Sequence, residues 1–132
     1  MVCPYCLGKT EVINSRPQKR TNGVWRRRHC LECQAVFTTV ERLDPSGTFR
    51  VVKGESMTEF NRSKLLVSLY EALKHKTDAV IAAESLTDTV YYKLCQSGNQ
   101  LWTVEKIKIT AFETLRLYDP TAAAVYKAVH SD

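Results

Sequence analysis

Two short stretches of the chain, Cys3-Pro4-Tyr5-Cys6 and Cys30-Leu31-Glu32-Cys33, decide how its first third folds. Each stretch places two cysteines three positions apart, so that a single turn presents two sulfurs to one metal ion. The 23 residues between the two pairs are enough for a β-hairpin that returns the second turn to the first. Because zinc favours four ligands in a tetrahedral shell, we predict one zinc ion bound by Cys3, Cys6, Cys30 and Cys33.

Three other uses of paired cysteines are compared with zinc. Two disulfides suit a small secreted protein, but Met1-Val2-Cys3-Pro4 shows no basic segment followed by an apolar one, so we expect a cytoplasmic protein. A redox pair is more typical of a βαβ setting. Iron, alone or in a cluster, remains an alternative partner for four thiolates. Because four cysteines fill the zinc shell, the site is expected to be structural, with no catalytic residue and no enzyme activity.

Positive charge is concentrated in the same third of the chain. The net charge is +5, from 19 Lys or Arg and 14 Asp or Glu. Residues 1–43 contain eight of the basic residues and three of the acidic ones, whereas residues 44–132 contain eleven of each. The whole excess therefore lies in the first 43 residues. Localised positive charge predicts a polyanionic partner such as a nucleic acid.

An arginine run before the second cysteine pair supplies half of the candidate DNA contacts. Arg26-Arg27-Arg28 lies on the predicted returning strand, where alternation directs Arg26 and Arg28 to one face and Arg27 to the other. Arginine binds phosphate with two N–H groups and can read guanine in the major groove. A solvated surface stretch is the alternative interpretation. The predicted DNA-binding residues are Arg16, Lys19, Arg20, Arg26, Arg27 and Arg28.

Strand and turn signals complete the first unit. Thr21-Asn22-Gly23 is typical of a hairpin turn, because Asn and Gly readily adopt positive φ. Runs rich in β-branched and aromatic residues predict strands over 11–15, 24–29 and 35–41. The clearest break in pattern is Asp44-Pro45-Ser46-Gly47. We therefore predict a zinc ribbon over residues 1–43 and a linker over 44–48.

The remaining residues, 49–132, are predicted to be mostly helical. They begin with two short strands, over 49–53 and about 57–59. Apolar residues then recur at helical spacing in four segments, which begin near Arg62, Asp78, Val104 and Pro120. The predicted fold class is α+β, a small β zinc ribbon followed by a mostly helical domain with a short β-hairpin. No apolar run approaches the length of a membrane span.

Residues on both sides of the break resemble a known family. Phe49-Arg50-Val51-Val52-Lys53, with Phe60-Asn61 and Lys64-Leu65 after it, resembles the start of an ATP-cone, a small nucleotide-sensing domain with a β-hairpin over a helical bundle. The cysteine stretches, the arginine run and Phe37-Thr38-Thr39-Val40-Glu41 resemble the ribbon of the NrdR family. Over nearly its full length the chain is similar to this family, the transcriptional repressors of bacterial ribonucleotide reductase genes.

The resemblance implies a repressor that binds a double-stranded DNA operator through its ribbon, in the bacterial cytoplasm and on the nucleoid. It also implies that residues 49–132 bind ATP or dATP and set the state of a homo-oligomer. The nucleotide-binding residues carried over by position are Val52, Lys53, Lys64, Leu65 and Lys76. Gly54 and Glu59 depart from the family's pattern, which keeps a second interpretation open: a zinc-ribbon protein-interaction module whose cone no longer binds nucleotide.

Overall fold

The chain forms two compact units, Met1–Leu43 and Asp44–Asp132, in a computed structural model that describes residues 1–131. The first unit consists of strands and turns, and the second of four helices and three short strands. This arrangement confirms the predicted α+β fold class. No helix within residues 1–131 has both the length and the apolar character that are needed to cross a membrane.

The first unit is an antiparallel sheet with its strands in chain order, β1 (Thr10–Gln18), β2 (Gly23–Cys30) and β3 (Val36–Glu41). Strand β1 is longer than the predicted 11–15 at both ends. The turn between β1 and β2 contains Asn22 at φ 53°, the positive value for which Asn is suited. Gly23 follows because a Cβ there would lie 2.7 Å from the carbonyl oxygen of Glu41.

The ribbon has almost no apolar core. Within residues 1–43, the buried residues that count as apolar are Cys3 and Cys30, both fully inaccessible to solvent. Exposed apolar side chains in this unit include Tyr5 and Leu7. A unit of this size cannot be stable by apolar burial alone, so it requires an additional interaction that links its strands.

The second unit begins with a hairpin of β4 (Arg50–Lys53) and β5 (Ser56–Glu59). The hairpin turns at Gly54, whose φ of 60° suits glycine. A third strand, β6 (Leu101–Thr103), pairs in parallel with β4, so the order is β5-β4-β6. Strand β6 was not predicted, because three residues are too few to show an alternating pattern and its pairing partner lies about fifty positions earlier.

Four helices follow the hairpin: α1 (Arg62–Leu73), α2 (Ala79–Gln96), α3 (Val104–Tyr118) and α4 (Pro120–Val129). The side chains of Asn61, Thr103 and Asp119 accept a backbone N–H at the starts of α1, α3 and α4. The helical pattern that begins near Arg62 predicts a helix to about Lys76, but α1 ends three residues earlier, at Leu73. The polar residues after Leu73 have no apolar surface to bury, and Lys76 N–H closes a turn onto the Leu73 carbonyl at 2.9 Å.

An aromatic cluster joins the hairpin to the helices. Phe49 precedes β4 and stacks on Trp102 of β6, with ring centroids 4.2 Å apart. Phe60 follows β5 and meets Trp102 edge-on at 5.1 Å, while Tyr91 of α2 lies within about 6 Å of all three rings. Trp102 is completely buried, and its Nε1–H donates to the Asn99 carbonyl at 3.0 Å. The cluster fixes both ends of the hairpin over the bundle.

Asp119 ties the start of α4 to the connection between α1 and α2. One carboxylate oxygen accepts from Thr121 N–H at 2.9 Å, and the other lies 2.9 Å from His75 Nε2 and 3.5 Å from Lys76 Nζ. The hydrogen bond from His75, followed by the backbone N–H groups of α4, lowers the pKa of Asp119 below its ordinary value. The charged carboxylate is therefore favoured by the folded chain.

Two substitutions should separate the contributions of Asp119. Asp119→Asn keeps an oxygen that accepts from Thr121 N–H and removes the ion pairs, whereas Asp119→Ala removes both. The alanine variant should melt about 5 °C below the unmodified chain, and the asparagine variant should fall between them. Thermal unfolding followed by the helical circular dichroism signal measures this order, and an alanine variant that melts with the unmodified chain would contradict it.

The difference in melting temperature between the unmodified chain and Asp119→Asn should depend on pH. Because the pKa of Asp119 is lowered on folding, its charge stabilises the fold above the ordinary value of 3.8. This stabilisation is lost as the pH falls through the lowered value, so the melting temperatures of the unmodified chain and Asp119→Asn should converge in acid.

Candidate functional site

The four predicted zinc ligands lie together at one end of the ribbon sheet. The Sγ atoms of Cys3 and Cys33 are 3.6 Å apart, those of Cys6 and Cys30 are 3.5 Å apart, and all four lie within 4.8 Å of one another. A tetrahedral zinc ion with bonds of about 2.3 Å to sulfur requires separations of about 3.8 Å. A disulfide would require about 2.05 Å, so the sulfurs are spaced for a shared ion rather than for bridges.

Each cysteine pair is held by the same backbone turn. Cys3 N–H donates to the Gly8 carbonyl at 2.9 Å, and Cys30 N–H donates to the Ala35 carbonyl at 2.8 Å. The residue after the second cysteine of each pair has positive φ, 64° at Leu7 and 66° at Gln34. Neither residue is glycine, so each turn holds a backbone conformation that costs free energy and must be stabilised by what the turn binds.

Backbone N–H groups point at the sulfurs. Cys30 Sγ accepts from the N–H groups of Cys33 and Glu32 at 3.4 Å, and these bonds lower the pKa of Cys30 to about 6. The N–H of Gly8 acts in the same sense on Cys6, but the neighbouring thiols, above all Cys30, raise the pKa of Cys6 to about 12. Four sulfurs this close cannot all ionise unless a cation lies among them. The donor set therefore fits a divalent, thiolate-binding metal.

The arginine run lies on the central strand, and each member is bonded to a side chain of β3. Arg26 Nη1 lies 2.9 Å from a carboxylate oxygen of Glu41. Arg27 Nη1 donates to Thr38 Oγ1 at 2.8 Å, and Arg28 Nε donates to Thr39 Oγ1 at 3.1 Å. All three arginines are half-buried between the outer strands. Their guanidinium groups are therefore oriented before any ligand binds.

The other predicted DNA contacts lie around the hairpin. Arg16 is exposed on β1, with its guanidinium 5.9 Å from the centroid of the Trp25 ring. Lys19 and Arg20 are exposed next to the turn. Arg42, which was not among the predicted contacts, lies there too, since a Cβ on Gly23 would be 3.3 Å from its Cγ. Only the pairing of β3 with β2 brings Arg42 to the turn, so no local signal could have identified it.

The second unit contains a cavity of about 390 Å³ between the hairpin, the start of α1 and helices α3 and α4. Three of the five residues predicted to bind nucleotide line this cavity: Lys53, Lys64 and Leu65. Two further predicted residues, Val52 and Lys76, are not among its lining residues. Alternation on β4 turns Val51 rather than Val52 to the cavity, and Lys76 is held by Asp119 and by the ring of Tyr118, 5.3 Å from Lys76 Nζ.

Helices α3 and α4 supply the cavity wall that sequence reasoning did not identify. Ile107 and Lys108 come from α3, and Tyr126 comes from α4, with His130 just after it. His130 stacks on Tyr126 with centroids 4.1 Å apart. The helical spacing of these residues predicted helices, but which face meets the hairpin depends on tertiary packing.

One family model matches the first unit, and curated relatives match nearly the whole chain. Residues 1–41 match a zinc-ribbon family model described as "Transcriptional repressor NrdR-like, N-terminal domain". The transcriptional repressor NrdR of Petrotoga mobilis is 33% identical over 133 residues, which cover 96% of this chain and 88% of that protein. The NrdR of Burkholderia cenocepacia is 33% identical over 98% of this chain and 82% of its own length. The NrdR of Symbiobacterium thermophilum is 32% identical over the whole of this chain and 88% of its own length.

Removal of the metal should unfold the ribbon and spare the helical unit. The ribbon has almost no core, and metal binding contributes about 10–16 kcal/mol of apparent folding free energy in small zinc domains. A chelator should therefore collapse the amide resonances of residues 1–43 while the helical circular dichroism is retained. Cys6→Ser should lower the zinc content below one ion per chain, whereas Cys95→Ser, the matched control in α2, should keep it. A metal-free chain with an unchanged ribbon spectrum would refute this.

Proposed function

Because the chain belongs to the NrdR family of transcriptional repressors, we propose that it is a zinc-dependent, DNA-binding repressor that responds to ATP or dATP. Its targets would be ribonucleotide reductase genes, and it would act in the cytoplasm as a homo-oligomer. The observation that carries the proposal is the cluster of four sulfurs at the end of an arginine-bearing sheet. The ribbon, Met1–Leu43, would bind DNA, and the second unit would bind the nucleotide.

Zinc supports the proposed DNA contact without taking part in chemistry. Cys30 is both a proposed ligand and the last residue of β2, the strand that carries the arginines. An ion bound there would hold the end of this strand against the first cysteine turn. Metal binding would then fix the positions of the arginines on β2.

Charge and geometry support a nucleic acid as the partner of the ribbon. The whole net charge of +5 lies in residues 1–43, and four zinc-bound thiolates would reduce the unit to about +3. The predicted DNA-binding side chains lie along the sheet and around its turn, whereas the sulfurs lie at the other end of the sheet from that turn. Phosphate contacts of this kind supply affinity, and oriented arginines can read base edges.

The cavity of the second unit supports a nucleotide as the regulatory ligand. Its volume of about 390 Å³ lies in the range of small-molecule sites. Two ammonium groups, from Lys53 and Lys64, are suited to phosphates, and Asn61 brings the positive end of α1 to the same wall. Apolar side chains such as Leu65 and Ile107 offer a surface for a base or a sugar. The proposed site therefore rests on the lining residues Lys53, Lys64 and Leu65.

Nucleotide would regulate repression through the assembly of the repressor. A ligand shifts an equilibrium between assemblies only when it binds one of them more tightly. ATP and dATP would therefore favour different arrangements, one of which aligns pairs of ribbons with the two halves of an operator. Because such coupling is reciprocal, bound operator would also change the affinity for nucleotide.

Binding to duplex DNA should depend on both zinc and salt. If four to six cationic side chains neutralise phosphates, log K should fall against log salt with a slope between about −3.6 and −5.4. The chelated chain should lose this binding. Fluorescence anisotropy of a labelled duplex measures both effects, and a zinc-loaded chain with no measurable affinity at low salt would remove DNA from the proposal.

Nucleotide binding should depend on the lysines that line the cavity. Lys64→Gln should weaken ATP and dATP by about tenfold in isothermal titration, because it removes one charged phosphate contact. Lys76→Gln is the matched control, since Lys76 pairs with Asp119 and does not line the cavity. Chains loaded with ATP and with dATP should also differ in size by light scattering.

Two outcomes of the nucleotide experiments would contradict the proposed regulation by ATP and dATP. Absence of heat with either nucleotide would favour the second interpretation, a zinc-ribbon interaction module without a nucleotide ligand. Equal assembly and equal operator affinity with both nucleotides would remove the discrimination between ATP and dATP.

A further inference from the structure

One face of the ribbon sheet carries Arg16, Trp25 and Arg27. Alternation along β2 puts Trp25 and Arg27 on the same side of the sheet. Arg16 of β1 is the cross-strand partner of Trp25. The guanidinium of Arg16 lies over the Trp25 ring, and Arg27 donates to the hydroxyl of Thr38. These four residues define the Trp25 face.

The opposite face carries Arg26 and Arg28. Both lie next to Thr39, to which Arg28 donates, and Arg26 is paired with the carboxylate of Glu41. Phe37, half-buried, is the cross-strand partner of Arg28. These five residues define the Arg26 face. Its two guanidinium charges are offset by one carboxylate, so its net charge is +1.

The Trp25 face keeps the full charge of its arginines. Within the described residues 1–131, no carboxylate pairs with Arg16 or Arg27. The register places Glu11 on this side of the sheet, but Glu11 lies 3.4 Å from His29 at the end near the cysteines. The charge of the arginines is therefore available to an anion.

Thr38 and Trp25 give this face the properties of a contact surface. A hydroxyl orients a guanidinium without cancelling its charge, so the other N–H groups of Arg27 stay available to a ligand. Trp25 is half-buried and supplies an aromatic surface next to both arginines. Charged donors beside a partly accessible aromatic ring are the combination that binds phosphates together with sugars or bases.

We propose that the Trp25 face is the surface with which the ribbon contacts DNA, and that the Arg26 face points away from it. Arg16 and Arg27 donate to the DNA, and the ring of Trp25 lies within the contact. The inference rests on the proposed function, since it selects the face by which the same unit binds DNA.

Neighbouring arginines on opposite faces provide a matched test. In the full, zinc-loaded chain, Arg27→Gln and Arg28→Gln remove the same charge from adjacent positions of β2. Arg27→Gln should weaken binding to a mixed-sequence duplex by about tenfold at low salt and reduce the slope of log K against log salt by about 1. Arg28→Gln should change the affinity by less than about twofold. Arg16→Gln should follow Arg27→Gln, and Arg26→Gln should follow Arg28→Gln.

Tryptophan fluorescence tests the same proposal in the unmodified chain. The chain contains two tryptophans, of which Trp102 is completely buried in the second unit. Saturation with duplex DNA should therefore change the emission of Trp25, while Trp25→Phe should leave a signal that DNA does not alter. This readout needs no arginine variant, so it decides the question even if a substitution reduces the zinc content.

The outcomes separate the two proposals. If the unmodified chain binds the duplex but Arg28→Gln weakens binding more than Arg27→Gln, the face is assigned wrongly. An unchanged Trp25 emission at saturation overturns the inference as well. If the unmodified, zinc-loaded chain binds no duplex, the proposed DNA binding fails and the inference fails with it.

Discussion

The ribbon depends on one constraint, the clustering of four sulfurs within 4.8 Å of one another. The unit has almost no apolar core, and its two cysteine turns each hold a residue at positive φ. Neither feature is stable in isolation, because burial is too small and the turns are strained. A bound metal ion compensates for both, since it bonds to both turns at once. The folded conformation of the arginine-bearing strand β2 therefore depends on metal binding by the cysteine thiolates.

That constraint also shapes the charge that the ribbon presents. The strand that ends at Cys30 carries three consecutive arginines, and β3 holds each of them through a hydroxyl or a carboxylate. The difference between these acceptors matters, because a carboxylate cancels a charge that a hydroxyl only orients. A sheet of three strands can therefore have two faces of similar composition and different affinity for phosphate.

The second unit is organised in the opposite way, around a genuine core. Stacked and edge-on rings, centred on Trp102, hold the ends of the β4–β5 hairpin, and Asp119 holds the start of α4. The cavity, with Lys53 and Lys64 on its wall, is lined by this hairpin, the start of α1 and the end of α4. A hairpin fixed at its base over a bundle can respond to a ligand without unfolding, which suits a regulatory site.

Sequence alone determined the α+β class, the four clustered cysteines and the starts of the four helices near Arg62, Asp78, Val104 and Pro120. These features are local, since cysteine spacing and the signals that start a helix act over three or four residues. Tertiary structure alone decided the rest: strand β6, the position of Arg42 beside the turn, the exclusion of Lys76 from the cavity and the contribution of α3 and α4 to its wall. Each of these depends on the approach of residues far apart in the chain, and that approach is set by packing and pairing that no local pattern encodes.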